Sequence, residues 1–380
     1  MSRRRIAIAC QGGGSQCAFI AGALKTLFAR GVQERFEIVG FSGTSGGALT
    51  AAVAWYGLLK RAHGDRTPPE DRVIALWRDL TAQTPQEIAL DASCTQAVRL
   101  TERGVLPSFA TSPASPVFQA MTKALSRFIG RPEFTDLRAL IVKHIDFDAL
   151  PALIEPGSPI LLAGAGDVID GTFKLFSSAC GEIKPEALLA SAAIPNLFPA
   201  VWVDGHAYWD GIFSSNPPVV GFLRKAFMGK HVMPEEIWII QINRVHHGAV
   251  PETPSDIFDR RNQLAGNLSL RHELEQIQMV NMLLQERAVT PEFMARFGLD
   301  MREPIKVRFI RMSAELSEGL DYPSKLSRQP AHIAGLIADG EAQAGAFLAT
   351  FDESGRDVVE PATAESLVEG VENHGAPGHV

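Results

Sequence analysis

The sequence predicts an α/β protein with a mostly parallel central sheet and a mostly helical insertion. Three observations carry that prediction. The first 60 residues read as strand, turn and helix, twice over. Strand-like apolar segments return after residue 160, alternating with helical patterns. Between these regions, residues 63–159 alternate helical periodicity with Pro/Ser/Thr-rich stretches. Helices that each follow a strand favour βαβ connections and hence parallel strands.

The first strand is expected over 5–10, and Gly12-Gly13-Gly14 makes the turn behind it. From about Ser15 the pattern becomes helical, with Phe19, Ile20, Ala23, Leu24, Leu27 and Phe28 at helical spacing until Gly31. A second strand over 36–41 turns sharply at 42–44 into a helix over about 46–60. In the insertion, 72–80, 117–128 and 136–145 are helical and 111–116 is the clearest loop. This segment is either scaffold or a cap over one end of the sheet.

Further strands are expected at 160–165, 172–177, 201–203, 207–208, 236–243 and 305–312. Helices are expected at 185–191 and 332–351, and 255–287 is one long helix or a broken pair. After Asp352 the composition turns acidic and polar. Residues 1–352 are therefore read as the folded domain and 353–380 as a flexible tail.

Composition narrows the classes of function. A chain of 380 residues with 46% hydrophobic and 21% charged residues can bury a large core without disulfides or metals. The net charge of −7 argues against nucleic acid as the main partner, although a local basic patch could still meet an anionic membrane. The four cysteines, Cys10, Cys17, Cys94 and Cys180, form no CxxC pair and read as reduced core thiols of a cytosolic protein. The apolar run after Arg3-Arg4-Arg5 is too short for a signal peptide, and no stretch of about 20 apolar residues could span a bilayer. A cytoplasmic protein, peripheral to a membrane at most, is expected.

The chemistry centres on Ser45, in Gly43-Thr44-Ser45-Gly46-Gly47. A serine hydroxyl needs a base to take its proton and donors to hold the oxyanion that forms. A Gly-x-Ser-x-Gly turn between strand and helix lifts the hydroxyl clear of the backbone, with Gly43 and Gly47 as its supports. Gly12, Gly13 and Gly14 open a helix and can aim backbone N–H groups at an anionic oxygen. The loop lacks the Gly-Lys-Ser/Thr of a nucleotide-binding P-loop and the last glycine of the dinucleotide fingerprint. An oxyanion hole about 30 residues ahead of a serine elbow fits better.

None of the ten histidines lies in a recognisable motif, and the elbow comes after only two strands. Both facts argue against the α/β-hydrolase triad, whose histidine comes last. A carboxylate acting directly on the serine is the better candidate. Asp210, followed by Gly211 in a turn-like segment, is one candidate, and Asp204-Gly205 six residues earlier is its rival on spelling.

Four segments in order resemble the patatin-like phospholipases over roughly residues 5–350. They are Gly12-Gly13-Gly14, Gly43-Thr44-Ser45-Gly46-Gly47, Ala190-Ser191-Ala192-Ala193-Ile194-Pro195 with Phe198-Pro199, and Asp210-Gly211 with Asn216-Pro217-Pro218. The resemblance implies a three-layer α/β/α fold and a Ser–Asp dyad that cleaves acyl esters of phospholipids or lysophospholipids without metal or cofactor. It assigns Ser45 as nucleophile and Asp210 as base, sets Asp204 aside as part of the strand region before the motif, and forms the oxyanion hole from the glycine loop.

Two departures from the family pattern stand out. The glycine motif usually carries a basic residue before a last glycine, where this chain has Gln16 and Cys17. The missing charge is expected to weaken oxyanion or phosphate stabilisation, and the Cys17 side chain to crowd a helix–strand contact. Asp-Gly-Ile also replaces the commoner Asp-Gly-Gly or Asp-Gly-Ala. An esterase or thioesterase on other acyl groups, or a lipid-binding protein of weak activity, are the alternatives.

Overall fold

The computed structural model describes residues 3–106, 130–195, 197–299 and 303–358. Its strands are β1 (Arg5–Cys10), β2 (Glu37–Gly43), β3 (Ile160–Asp167), β4 (Phe173–Ser177), β5 (Val201–Val203), β6 (His206–Asp210), β7 (Glu236–Gln241) and β8 (Lys306–Arg311). They form one eight-stranded sheet in the order β5-β6-β3-β2-β1-β7-β8, with β4 also paired to β3. From β3 to β8 the strands are parallel, whereas β4 and β6 run antiparallel to β3, and β5 antiparallel to β6.

The main helices are α1 (Ala18–Ala29), α2 (Gly46–Ala62), α3 (Pro69–Leu80), α4 (Pro85–Glu102), α5 (Leu137–His144), α6 (Pro185–Ser191), α7 (Pro254–Gln285) and α8 (Pro330–Leu348). Strand alternation divides the core into two layers of side chains. Ile6, Ile8, Phe41, Leu161, Trp238 and Ile240 pack on one face against α1, α2 and α8. Ala7, Ala9, Leu162, Ile237 and Ile239 pack on the other, where α7 adds Leu270 and Ile277. Helices cover both faces, so the architecture is the three-layer α/β/α sandwich expected. Near-continuous apolar strands such as β1 and β7 follow from this double burial.

The insertion is helical where it is described, and Val73, Leu76 and Trp77 of α3 join the same core as α1 and α2. The segments 111–116 and 117–128 lie outside the described residues. The region 255–287 is one continuous helix, α7. Helix α4 was not anticipated. It opens with a complete capping box, in which Thr84 accepts the Glu87 N–H and Glu87 accepts the Thr84 N–H.

Of the polar C-terminal segment, residues 353–358 turn back, and Asp357 pairs with Arg308 at 2.7 Å; residues 359–380 lie outside the described residues. Cys10 and Cys17 are buried, but Cys94 and Cys180 are exposed, on α4 and behind β4, and so are not core thiols. Among the described residues no helix is long and apolar enough to cross a membrane.

Candidate active site

The sheet register brings Ser45 and Asp210 together. Ala163 pairs with Gly43 of β2 and with Phe176 of β4, so β2 and β4 take opposite edges of β3. Ala165 pairs with Lys174 of β4 and with Asp210 of β6. Hence β6 occupies the edge of β3 that β2 leaves. Asp210 stands two residues, roughly 7 Å along the strand direction, beyond the end of β2. Ser45 follows that end, at the junction with α2.

Ser45 has φ 58° and ψ −134°, a left-handed backbone seldom taken by a residue with a side chain. Such a conformation at a strand-to-helix turn is what a nucleophile elbow requires. The surroundings over-determine it. The Ser45 N–H donates to the Ser191 carbonyl at 3.0 Å and lies 3.2 Å from Ser191 Oγ. That hydroxyl in turn donates to the Gly164 carbonyl at 2.7 Å. The neighbouring Thr44 hydroxyl donates to the Ser215 carbonyl at 2.5 Å. A Cβ at Gly47 would lie 2.4 Å from the Cys10 carbonyl oxygen, and one at Gly211 2.6 Å from that of Gly164, so both turns need glycine. Gly43 sits at the last position of β2, against the backbone of Ala48.

Asp210 ends β6 with its backbone N–H donated to the Ala193 carbonyl at 2.9 Å. The Ala190–Pro195 segment therefore braces both residues of the pair. Asp210 Oδ1 accepts the Ile212 N–H at 2.9 Å, and Oδ2 is buried without a hydrogen-bond partner among the described residues. Burial pushes this carboxyl up to about 7; the Ser45 hydroxyl, the Ile212 amide and the Lys325 ammonium act the other way. Ser45 is thus near enough to favour the carboxylate, although no well-formed hydrogen bond joins the two side chains. Catalytic hydrogen bonds are often loose before substrate arrives. No histidine among the described residues hydrogen-bonds either group. Asp204, the rival, is in the Asp204-Gly205 turn joining β5 and β6 rather than in a strand, exposed and 3.5 Å from Lys184.

The glycine loop wraps against the elbow. A Cβ at Gly12 would meet the Thr44 carbonyl oxygen at 2.5 Å and Ser45 Cβ at 2.9 Å. Its N–H donates to Asn216 Oδ1 at 2.6 Å, while Asn216 Nδ2 donates back to the Gly12 carbonyl at 3.3 Å. Gly12 therefore differs from the expectation: its amide is already committed, and it serves as a spacer under Ser45. The Gly13 N–H meets no oxygen acceptor among the described residues. Beside it lies the Cys17 thiol, a weak acceptor that burial pushes up to about 12 and so keeps neutral. Gly14 has φ 59° and opens the short 3₁₀ turn Gly14–Cys17. Cys17 does not force the loop away. Gly46 leaves room for it, since a Cβ there would come within 3.0 Å of the sulfur.

Several partners were not legible from sequence. Gln11 caps the loop from below, its Oε1 accepting the Ile242 and Asn243 N–H groups at 3.0 and 2.8 Å. Glu273 of α7 accepts the Val219 and Val220 N–H groups at 2.6 and 2.8 Å and a short bond from Ser215, fixing the segment that carries Asn216. Lys325 is buried against Gly14. Away from this site, Asp167, Asp170 and His206 bring their ligand atoms within 4.8 Å of one another. Asp167 Oδ1 already closes the turn after β3 through the Ile169 and Asp170 N–H groups.

Fold and site together define an α/β protein with a serine elbow, a glycine loop and a buried carboxylate at the end of a mixed sheet. The chain belongs to the patatin-like phospholipase family, whose model matches residues 8–223. That family consists of lipid acyl hydrolases, so membership supports lipase or phospholipase activity.

Among solved structures, the chain is similar to VipD from Legionella pneumophila, at 13% identity over 92% of this chain and 67% of that one, with a TM-score of 0.42. It is also similar to a chain of the ExoU–SpcU complex from the type III secretion system of Pseudomonas aeruginosa. One such structure gives 17% identity over 71% of this chain and 51% of that one, with a TM-score of 0.26. Another gives 15% identity over 93% and 65%, also with a TM-score of 0.26. The chain thus spans between about half and two thirds of those proteins' length. No curated protein matches it in sequence.

Proposed function

We propose that this protein hydrolyses carboxylic esters of phospholipids or lysophospholipids through a Ser45–Asp210 dyad. The observation that carries the reading is the pairing of a serine in left-handed backbone with a buried carboxyl raised to about 7. A carboxylate of ordinary basicity would be a poor base for a serine hydroxyl. One raised toward neutrality is matched to the working pH.

In this reading Asp210 takes the Ser45 proton as Oγ attacks the ester carbonyl. The Gly13 and Gly14 amides receive the tetrahedral oxyanion, and Asp210 returns the proton to the leaving alcohol. Asp210 then deprotonates a water that attacks the acyl-serine, releasing the fatty acid and restoring Ser45. Residues 1–352 act as one acyl-hydrolase domain, in which α3 and α5 share the core that α1 and α2 build on the sheet.

The test is a lipid panel, with phospholipid vesicles, lysophospholipids and p-nitrophenyl esters of graded chain length, on wild type and Ser45→Ala. Turnover should fall by at least roughly a thousandfold in the variant with the fold retained. Wild-type turnover in a folded Ser45→Ala protein overturns the dyad. Activity confined to short soluble esters overturns the phospholipid assignment but leaves the nucleophile in place.

A further inference from the structure

No residue from Gly12 to Cys17 carries a charge, yet a cation lies buried behind this loop. Lys325 sits in the short 3₁₀ turn Pro323–Lys325, about 310 residues further along the chain. The turn is bonded directly to the loop. Ser15 Oγ donates to the Ser324 carbonyl at 2.9 Å, and Gln16 Nε2 donates to Ser324 Oγ at 2.9 Å and to the Asp321 carbonyl at 3.3 Å. A Cβ at Gly14 would lie 2.1 Å from the Lys325 carbonyl oxygen, so glycine there lets the two backbones touch.

The ammonium reaches the site through Asn243. Lys325 Nζ donates to Asn243 Oδ1 at 2.9 Å, and Asn243 Nδ2 points to the Gly12 carbonyl at 3.5 Å. An ammonium has three N–H bonds, and one of them is used among the described residues. Burying a cation with so few acceptors is costly unless a negative charge compensates it.

We propose that Lys325 is the site's positive charge, a positioning residue that stabilises the tetrahedral oxyanion at the Gly13–Gly14 loop and favours the ionised form of Asp210. The inference rests on the Ser45–Asp210 reading. Cationic stabilisation of the developing charge is thereby supplied by a residue distant in sequence, while position 16 anchors the turn that delivers it.

The groups acting on the ammonium are Cys17 beside the loop, Asp210 at the end of β6 and Asp259 on α7, while Arg244, Asp321 and Tyr322 line the same small cavity as Lys325. Cys17 is neutral, so the opposing charges are the carboxylates. Burial lowers Lys325 to about 8 against their pull, so its charge titrates close to the neutral range.

The experiment is the pH dependence of kcat and kcat/KM on a soluble p-nitrophenyl ester, using the full chain as wild type, Lys325→Met, Lys325→Arg and Ser45→Ala. Wild type should lose activity on the alkaline side near pH 8. Lys325→Met should lower kcat about 10- to 100-fold, less than the loss of a direct oxyanion donor. Its KM should change by about twofold or less, and its alkaline limb should vanish. Lys325→Arg should recover most of the rate and move the limb above about pH 10, because guanidinium stays charged. Wild-type kcat in Lys325→Met, or an alkaline limb unmoved in Lys325→Arg, overturns the proposal. The second result decides even if the Met variant does not fold. Ser45→Ala separates the two readings: surviving turnover there removes the dyad, whereas an inactive Ser45→Ala beside an unaffected Lys325→Met removes this inference alone.

Discussion

Replacing Asp210 by Asn should make the protein more stable at neutral pH while abolishing turnover, and the gain should depend on pH. Burial raises the folded-state pKa of Asp210 from 3.8 to about 7. As pH rises past about 4, the unfolded chain releases this proton while the folded protein keeps it until near 7. The folded state then binds more protons than the unfolded one, so stability falls with pH across that window. The full displacement corresponds to roughly 4 kcal/mol. Between pH 5 and 7 alone the wild type should lose about 2–3 kcal/mol that the amide variant does not lose.

The amide carries its own cost, a buried NH₂ with no acceptor worth about 1–3 kcal/mol, but that cost is the same at each pH. The assay is therefore a difference of differences, with urea unfolding of wild type and Asp210→Asn at pH 5, 6, 7 and 7.5. The stability difference should move toward the variant by about 2–3 kcal/mol over the series. Parallel stability profiles would show that Asp210 is not held protonated by burial, and the account of its basicity would fail.

In the proposed mechanism the base must be ionised, so kcat/KM should fall about tenfold per pH unit below about 7, as read from initial rates on a soluble ester. Asn216→Ala removes the two bonds that Asn216 makes to Gly12 and should cost about 1–3 kcal/mol. Circular dichroism should show the fold retained and kinetics a fall in kcat rather than a rise in KM. At the far side of the sheet, Glu236 accepts from Arg308 at 2.7 and 3.0 Å and from Arg4 at 2.8 Å. Glu236→Ala would leave Arg308 buried without its main counter-charge. It should destabilise by about 3–5 kcal/mol in chemical denaturation, with the kinetics of the remaining folded protein unchanged.

The parts that could be read from the sequence are those whose physics is local. Strands β1 and β7 announce themselves as unbroken apolar runs because both faces are buried. The elbow is legible because glycines bracket a serine between a strand and a helix. Helix α4 was missed because few of its side chains are buried: only Glu87 and Asp91 are, and both are acidic. Its capping box, Thr84 with Glu87, was the available signal and outweighs the absent apolar stripe. Lys325 had no local signal, since Tyr322-Pro323-Ser324-Lys325 has neither periodicity nor a motif. Its importance comes only from the contact of its turn with Gly14, Ser15 and Gln16. The same holds for Glu273, one of four acids on the long polar helix α7 until folding brings it under Val219 and Val220.

The direction of one strand decides whether a serine and a carboxylate can meet. In an all-parallel sheet, the strand ends that carry catalytic groups each arrive after a long crossover, and neighbouring ends lie side by side. Here β2 stops at Ala163 of its neighbour, and β6 enters the vacated edge from the opposite direction, pairing from Asp167 back to Ala165. Its last residue is Asp210, so the chain delivers a carboxylate head-on toward the end of β2, where the elbow begins. The antiparallel hairpin β5–β6 makes that possible with a two-residue turn at Asp204-Gly205, both in left-handed backbone. Because β6 must end there, Asp210 is sealed under Ala193 and Ile212, and the sealing is what raises its pKa. Placement and basicity thus share one cause. Any change that frees the end of β6, such as loss of the Ala193 bond, should lower the pKa of the carboxyl and separate it from Ser45 in the same step.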